Sequence, residues 1–176
     1  LVTMFVVFTY GIIGFVDDYR KLTQLPAPQP SLISVQDLLQ DCAALMQADA
    51  QKKGATISVA AEPQSLAIRA DRKMIEQVII NLVKNALAAL KHNEPGEIKL
   101  LGSYSDQGPL LSVADNGAGI LPEHRSRIFV PFFTTRKNGT GIGLSLSRNI
   151  MRRHQGDLRV ESVPGEGAVF KLCFCE

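Results

Sequence analysis

The 176-residue sequence predicts an α+β fold: a two-layer sandwich of a mixed, mostly antiparallel sheet with three main helices. Three observations lead there. Apolar residues recur at helical spacing in three separate stretches, short alternating apolar runs bounded by Gly, Pro, Asn and Asp lie between them, and no internal repeat is visible. With 45% hydrophobic and 20% charged residues the chain can build one sizeable core, which excludes a disordered or collagen-like protein. A formal net charge of +2 gives no reason to expect a nucleic acid as partner. Cys42, Cys173 and Cys175 lack zinc-type spacing and read as buried or half-buried thiols in a reducing compartment.

The beginning of the chain differs from the rest. Residues 1–23 form an apolar segment whose first charges, Asp17, Asp18, Arg20 and Lys21, follow sixteen nearly uncharged residues. That run falls short of the roughly 18–20 residues a membrane helix needs, and no signal-peptide pattern is present. It reads as the clipped end of a spanning helix, a helix that packs on a partner, or a cloning remnant. Pro26, Pro28 and Pro30 favour extended backbone and place a linker at 24–31, ahead of a domain at 32–176.

Within that domain, Ser34 is the expected cap of a helix over 35–53, with Val35, Leu38, Leu39, Cys42, Leu45 and Met46 on its apolar stripe and Gly54 as its stop. Residues 56–60 and 66–70 read as strands around a turn at Glu62–Ser65. Asp71 caps a long helix with a stripe from Ile75 to Leu90, ending near Asn93–Gly96. Strands are expected over 97–104 and 109–115, a short helix after Pro122, a helix from Gly143 to His154, and a final hairpin of 157–163 and 167–175.

Four groups of residues suggest chemistry. Asn81 and Asn85 lie four apart, on one helix face beside the apolar stripe. They are either ordinary hydrogen-bonded side chains or amide oxygens suited to Mg²⁺. Asp115 ends a strand and is followed by Gly117, Gly119 and Ile120; this is either a turn or a fixed carboxylate beside a flat ligand with an exocyclic amine. Gly139, Thr140, Gly141, Gly143 and Leu144 run into a helix, as a flexible loop or an anion seat. A Walker A loop is excluded by the missing Gly-Lys-Ser/Thr, and a dinucleotide fingerprint by Leu144 at its third glycine. Phe132, Phe133, Thr134, Thr135, Arg136 and Lys137 are either a packed end and a basic loop, or the anchor of a lid over phosphates.

The order of five segments is more specific than any one of them. NLVKNALAAL (81–90), DNGAGI (115–120), IFVPFFTT (128–135), GTGIGLSLS (139–147) and GEGAVFKL (165–172) resemble the N, G1, F, G2 and G3 boxes of the sensor histidine kinase catalytic domain. That domain belongs to the ATP-binding superfamily shared with gyrase, Hsp90 and MutL. The resemblance covers about 31–176 and implies the Bergerat-type ATP-binding sandwich. It implies ATP and Mg²⁺ as cofactors, with Asn85 on the metal, Asn81 facing the phosphates and Asp115 holding the adenine amine. Gly117, Gly119 and Ile120 would shape the base pocket. Gly139, Thr140, Gly141, Gly143 and Leu144 would border the triphosphate under a lid at 131–143 that includes Phe132, Thr134, Thr135 and Lys137. Arg136, where relatives often have Lys, would touch the γ-phosphate. Ala168 stands where a small hydroxyl residue is common.

Superfamily hydrolases carry a glutamate base where this sequence has Asn81, so the resemblance implies transfer to another nucleophile. In the family that nucleophile is a histidine on a separate dimerisation hairpin, and the phosphoryl group passes on to a response regulator receiver domain. His92, His124 and His154 read as surface or helix-end residues, which leaves the acceptor outside this chain. A nucleotide-binding module without kinase activity and a superfamily ATPase or chaperone are the alternatives. Residues 15–26 resemble the end of such a hairpin in nitrogen-regulation-type sensors, implying a homodimeric parent in the bacterial inner membrane with this domain in the cytoplasm. Residues 11–21 are also similar to a segment of phospho-MurNAc-pentapeptide transferase.

Overall fold

Two side-chain caps start the two long helices where the sequence places them. The Ser34 hydroxyl accepts from the Asp37 N–H at 3.3 Å and opens α1 (Val35–Lys52); the Asp71 carboxylate accepts from the Met74 N–H at 3.2 Å and opens α2 (Arg72–Ala89). The computed structural model describes residues 25–91, 94–136 and 139–174. The readings of 1–23, His92, Lys137 and Cys175 lie outside those residues. Among the described residues no helix is long and apolar enough to cross a membrane.

The remaining elements are β1 (Ser31–Ser34), β2 (Ala55–Ala61), β3 (Ala67–Ala70), β4 (Gly96–Ser105), β5 (Gly108–Asp115), α3 (Pro122–Arg125), α4 (Gly143–Arg153), β6 (Asp157–Val163) and β7 (Gly167–Cys173). The main sheet has the order β2-β4-β5-β7-β6; β2 and β4 are parallel and every other pair is antiparallel. Burial alternates along β4 and β5, so one face of the sheet is covered and the other meets solvent. Leu100, Val113 and Phe170 sit in register across the covered face, as do Leu111, Leu172 and Leu158 one row away. The three long helices supply the second layer, and the α+β sandwich expected from the sequence is the fold observed.

Three expectations need correction. Residues 66–70 do not pair with 56–60, although only a turn separates them; β3 pairs instead with β1, a strand in the stretch read as the end of the linker and the start of the domain. The prediction followed sequence proximity, whereas parallel pairing takes β2 to β4 across the whole of α2. Leu45 is 66% exposed, because Met46 fills the inward position on that turn. Finally, α2 stops at Ala89: Leu90 adopts extended backbone and packs its side chain over Gly96, where a Cβ would lie 2.6 Å from Leu90 Cδ1.

The segment 25–30 is pinned to the domain. Arg153 donates to the carbonyls of Leu25 and Pro26 at 2.8 and 3.1 Å, and the Gln29 N–H donates to Asp71 Oδ2 at 3.0 Å. His154, at the end of α4, accepts the Asp71 N–H on Nε2 at 3.0 Å while Nδ1 meets the Ile150 carbonyl at 2.8 Å, which puts the ring proton on Nδ1. Cys42 is fully buried, and burial pushes its thiol pKa up to about 12, which makes it inert at neutral pH.

The hydrogen bond from Gln29, more than any other influence, holds the Asp71 carboxyl below its ordinary pKa. A carboxyl depressed in the folded state stabilises above its unfolded pKa of about 3.9 and loses that contribution as pH falls through the lower folded value. Asp71→Ala is expected to cost about 1–2 kcal/mol in urea unfolding at neutral pH, with the gap to wild type closing in acid.

Candidate functional site

Strand period two puts Asp115 on the same side of β5 as the buried Leu111 and Val113, so its carboxylate points under the helices from the strand end. It accepts from the Gly117 N–H at 2.9 Å. Burial raises its pKa above the ordinary carboxylate value; hydrogen bonds from Gly117 and Ala168 and the charge of Arg136 oppose the rise. The loop beyond it is fastened to the end of α2, with the Ala118 N–H on the Ala89 carbonyl at 2.9 Å. No side chain fits at Gly117, where a Cβ would lie 2.5 Å from Ala89 O. Gly119 has φ +69° and its Cβ would lie 2.3 Å from the Val163 carbonyl, so both sterics and backbone require glycine.

From α2, Asn81 donates through Nδ2 to the Ser147 hydroxyl of α4 at 3.0 Å. This leaves Oδ1 against Gly143, where a Cβ would come within 2.2 Å of it. Asn85, one turn on, presents Oδ1 to Arg136 Nη1 at 3.0 Å, and its main-chain carbonyl meets Nη2 at 2.9 Å. The first turn of α4 has neither a side-chain cap nor an acidic residue. Its leading N–H groups lack intrahelical partners, a favourable seat for an anion.

These pieces enclose one cavity of ≈570 Å³, within the range of small-molecule sites of about 300–1,000 Å³. Asn81, Asn85, Asp115, Gly119 and Ile120 line it from α2 and the β5 loop; Thr134, Thr135 and Arg136 from the segment before the glycines; Gly139, Thr140, Gly141, Gly143 and Leu144 from the run into α4. Two residues named from the sequence do not line it. Gly117 acts from behind by letting the loop approach α2, and Phe132 is 40% exposed with its N–H on the Gly141 carbonyl at 2.9 Å. Phe132 itself has φ +66°, an uncommon conformation for an aromatic residue, held against Gly141 at φ +70°.

The sequence reading missed much of the wall. Ala88, Ala89 and Ala118 line it with side chains too small to intrude, while Ile128, Phe133 and Phe170 add apolar wall. His124 also lines the cavity: it stands at the end of α3, as expected of a helix-end residue, but half-buried and tilted against Phe133 at 5.6 Å between ring centres. Alanines carry no chemical signal in a sequence, and a lone histidine after a proline gives none about its facing.

The donor set restricts what metal fits. Among the described residues no three His, Cys, Asp or Glu side chains cluster as a metal cage. Asn85 Oδ1, an uncharged hard oxygen already holding a cationic guanidinium, suits Mg²⁺ carried in with a polyphosphate that supplies further oxygens.

A family model described as histidine kinase-, DNA gyrase B-, and HSP90-like ATPase matches residues 70–176. The chain belongs to that family. It is 46% identical over 106 residues to the signal transduction histidine-protein kinase AtoS of Escherichia coli K12, covering 60% of this chain and 17% of AtoS. The nucleotide-free catalytic domain of histidine kinase ThkA superposes with a TM-score of 0.75 at 32% identity, over 84% of this chain and 95% of that one. ThkA in complex with the response regulator TrrA matches with a TM-score of 0.75 at 27% identity, over 99% of this chain and 49% of that one. Full-length ShkA in complex with AMPPNP gives 0.78 at 29% identity, over 92% and 35%. The chain is thus a catalytic domain of the two-component sensor histidine kinase kind.

Because Asn81 Oδ1 occupies the space of a Cβ at 143, Gly143→Ala is expected to destabilise by about 1–3 kcal/mol. Removing the obstructing amide in Asn81→Ala/Gly143→Ala should recover part of that loss, so a double-mutant cycle in urea should show a clearly non-additive pair.

Proposed function

We propose that this domain holds Mg·ATP and positions its γ-phosphoryl group for transfer to a histidine on a separate helical hairpin of the parent protein. The observation that carries the reading is the convergence of Asn85, Asp115 and the uncapped α4 N-terminus on one cavity. Asp115 accepts from the exocyclic amine of adenine, and a guanine, with a carbonyl oxygen at that place, would face the carboxylate unfavourably. The α4 N-terminus and the glycines around it take the phosphates, while Thr134 and Thr135 border them. Asn85 holds Mg²⁺, which when bound draws charge from the β- and γ-oxygens and keeps them in place.

Asp115 is the cavity's carboxylate among the described residues and is engaged by backbone donors at a strand end. Asn81, turned onto Ser147, is an amide and takes no proton from water near neutral pH. This favours phosphotransfer to a supplied nucleophile over hydrolysis, the domain contributing orientation and charge compensation. By the same reading the phosphoryl group passes from the histidine to an aspartate of a receiver domain. The parent is a membrane-anchored homodimer, of the nitrogen-regulation type, with this domain on the cytoplasmic side of the inner membrane. Residues 11–21, similar also to the cell-wall transferase, are better explained as the end of its hairpin.

Calorimetric titration with Mg·ATP should show Asp115→Ala binding about 10–100-fold more weakly, GTP binding less well than ATP, and Asn85→Ala losing Mg²⁺ dependence. Since burial raises the Asp115 pKa, affinity should fall on acidification at a pH above the ordinary value of about 3.9. Labelled ATP with the upstream hairpin added should leave acid-labile phosphate on the hairpin, and the chain without it should turn over little ATP. Steady hydrolysis without the hairpin would favour the ATPase alternative; binding without any phosphoprotein would favour the non-kinase module.

A further inference from the structure

Arg136 makes a contact that a phosphate-binding residue need not make. Its guanidinium makes a two-pronged contact with a single residue, Nη1 to the Asn85 amide oxygen at 3.0 Å and Nη2 to the Asn85 main-chain carbonyl at 2.9 Å. That places a fixed positive charge on the oxygen assigned above to Mg²⁺. It also lies near the C-terminal turn of α2, where the helix dipole is negative and the helix has no basic residue of its own. The arginine's own N–H rests on Thr134 Oγ1 at 3.1 Å, and its carbonyl accepts from the Gly139 N–H at 3.2 Å. Asp115 shares the cavity, and each of the two charges favours the ionised form of the other.

We infer that Arg136 is the resident counter-cation of Asn85, displaced from it by any incoming magnesium nucleotide and re-engaged only by a triphosphate, so that it sets selectivity for ATP over ADP. The inference rests on the Mg·ATP reading given above. A cation on Asn85 Oδ1 and a guanidinium on the same atom exclude one another by charge and by space. Entry of Mg·ADP therefore costs the two Arg136 bonds and returns none, because the diphosphate ends before the γ-position. Entry of Mg·ATP costs the same bonds but offers the freed guanidinium a new anionic partner, for which a planar fork of donors is well suited. The arginine thereby weakens the product's hold more than the substrate's. Lysine at this position has a compact ammonium that cannot span both Asn85 oxygens as the fork does, yet can still meet a phosphate.

Equilibrium titration of the 1–176 chain with Mg·ADP and Mg·ATP tests this. Arg136→Ala should bind Mg·ADP about three- to ten-fold more tightly, since the competing bonds of the free state are gone, and should bind Mg·ATP no more tightly than wild type. Arg136→Lys should also tighten Mg·ADP while keeping wild-type affinity for Mg·ATP. Equal weakening of both nucleotides by Arg136→Ala, or no change in either, overturns the inference and leaves Arg136 as an ordinary phosphate contact or a bystander. Asn85→Ala keeps the two readings apart. If its nucleotide binding still depends on Mg²⁺ as in wild type, the metal assignment fails whatever Arg136 does; if the dependence is lost while Arg136→Ala leaves Mg·ADP unaltered, only the selectivity role fails.

Discussion

One close approach governs the site: the backbone after β5 lies directly against the last turn of α2. The Ala118 N–H takes the Ala89 carbonyl, an otherwise unpaired helix-end acceptor, and the chain passes so near that residue 117 has no room for a Cβ. This contact fixes the strand end that carries Asp115 relative to the helix that carries Asn85. Neither side chain would need to be where it is for the core to pack. The glycine at 117 therefore acts on chemistry without facing the cavity, by setting the separation of the two groups that do.

Electrostatics in the cavity follow from what the helices leave unpaired. The C-terminal part of α2 offers oxygen, the start of α4 offers N–H groups, and the two ends border the same cavity. A polyphosphate with its divalent cation matches that arrangement better than either ion alone. On the reading proposed above, the phosphates would meet donors at the α4 start, while the cation would meet the Asn85 oxygen and take its other ligands from the nucleotide. Within the chain itself, Arg136 sets a positive charge against both the Asn85 amide oxygen and the half-buried Asp115 carboxylate.

The sequence revealed what local physics decides. Caps at Ser34 and Asp71, the helical periodicity of α1 and α2 apart from Leu45 and Leu90, and the hairpin of β6 and β7 depend on neighbours a few residues away, and they stand as read. The polar members of the site were legible for a different reason: amides beside an apolar stripe, an aspartate before glycines, and glycines before a helix are residue types that need explaining. What was not legible depends on distant partners. β1 is four residues long and exists because β3 offers it an edge; β2 pairs in parallel with a strand beyond an entire helix; and His124 faces the cavity because Phe133 stands beside it. Asn81 illustrates the boundary between the two cases. Its presence was readable, but its orientation depends on Ser147, sixty-six residues away.

The two helices that build the site are joined at both ends of their contact. Near the cavity the joint is Asn81 to Ser147; at the far side it is the Asp71 N–H on His154. Between these bonds the apolar stripe of α2, including Val78 and Ile79, and the buried Ile150 and Met151 of α4 exclude water. A seam closed by hydrogen bonds at each end and filled with buried side chains resists sliding, because a shift along it breaks a polar pair at one end or the other. The far joint is also where segment 25–30 is held, through Gln29 on Asp71 and Arg153 on Leu25 and Pro26. The covalent path from the N-terminal part of the chain thus reaches the domain where α2 begins and α4 ends. The opposite ends of these helices present Asn85 and Gly143 to the cavity, so the entering segment bears on both halves of the site through one shared attachment.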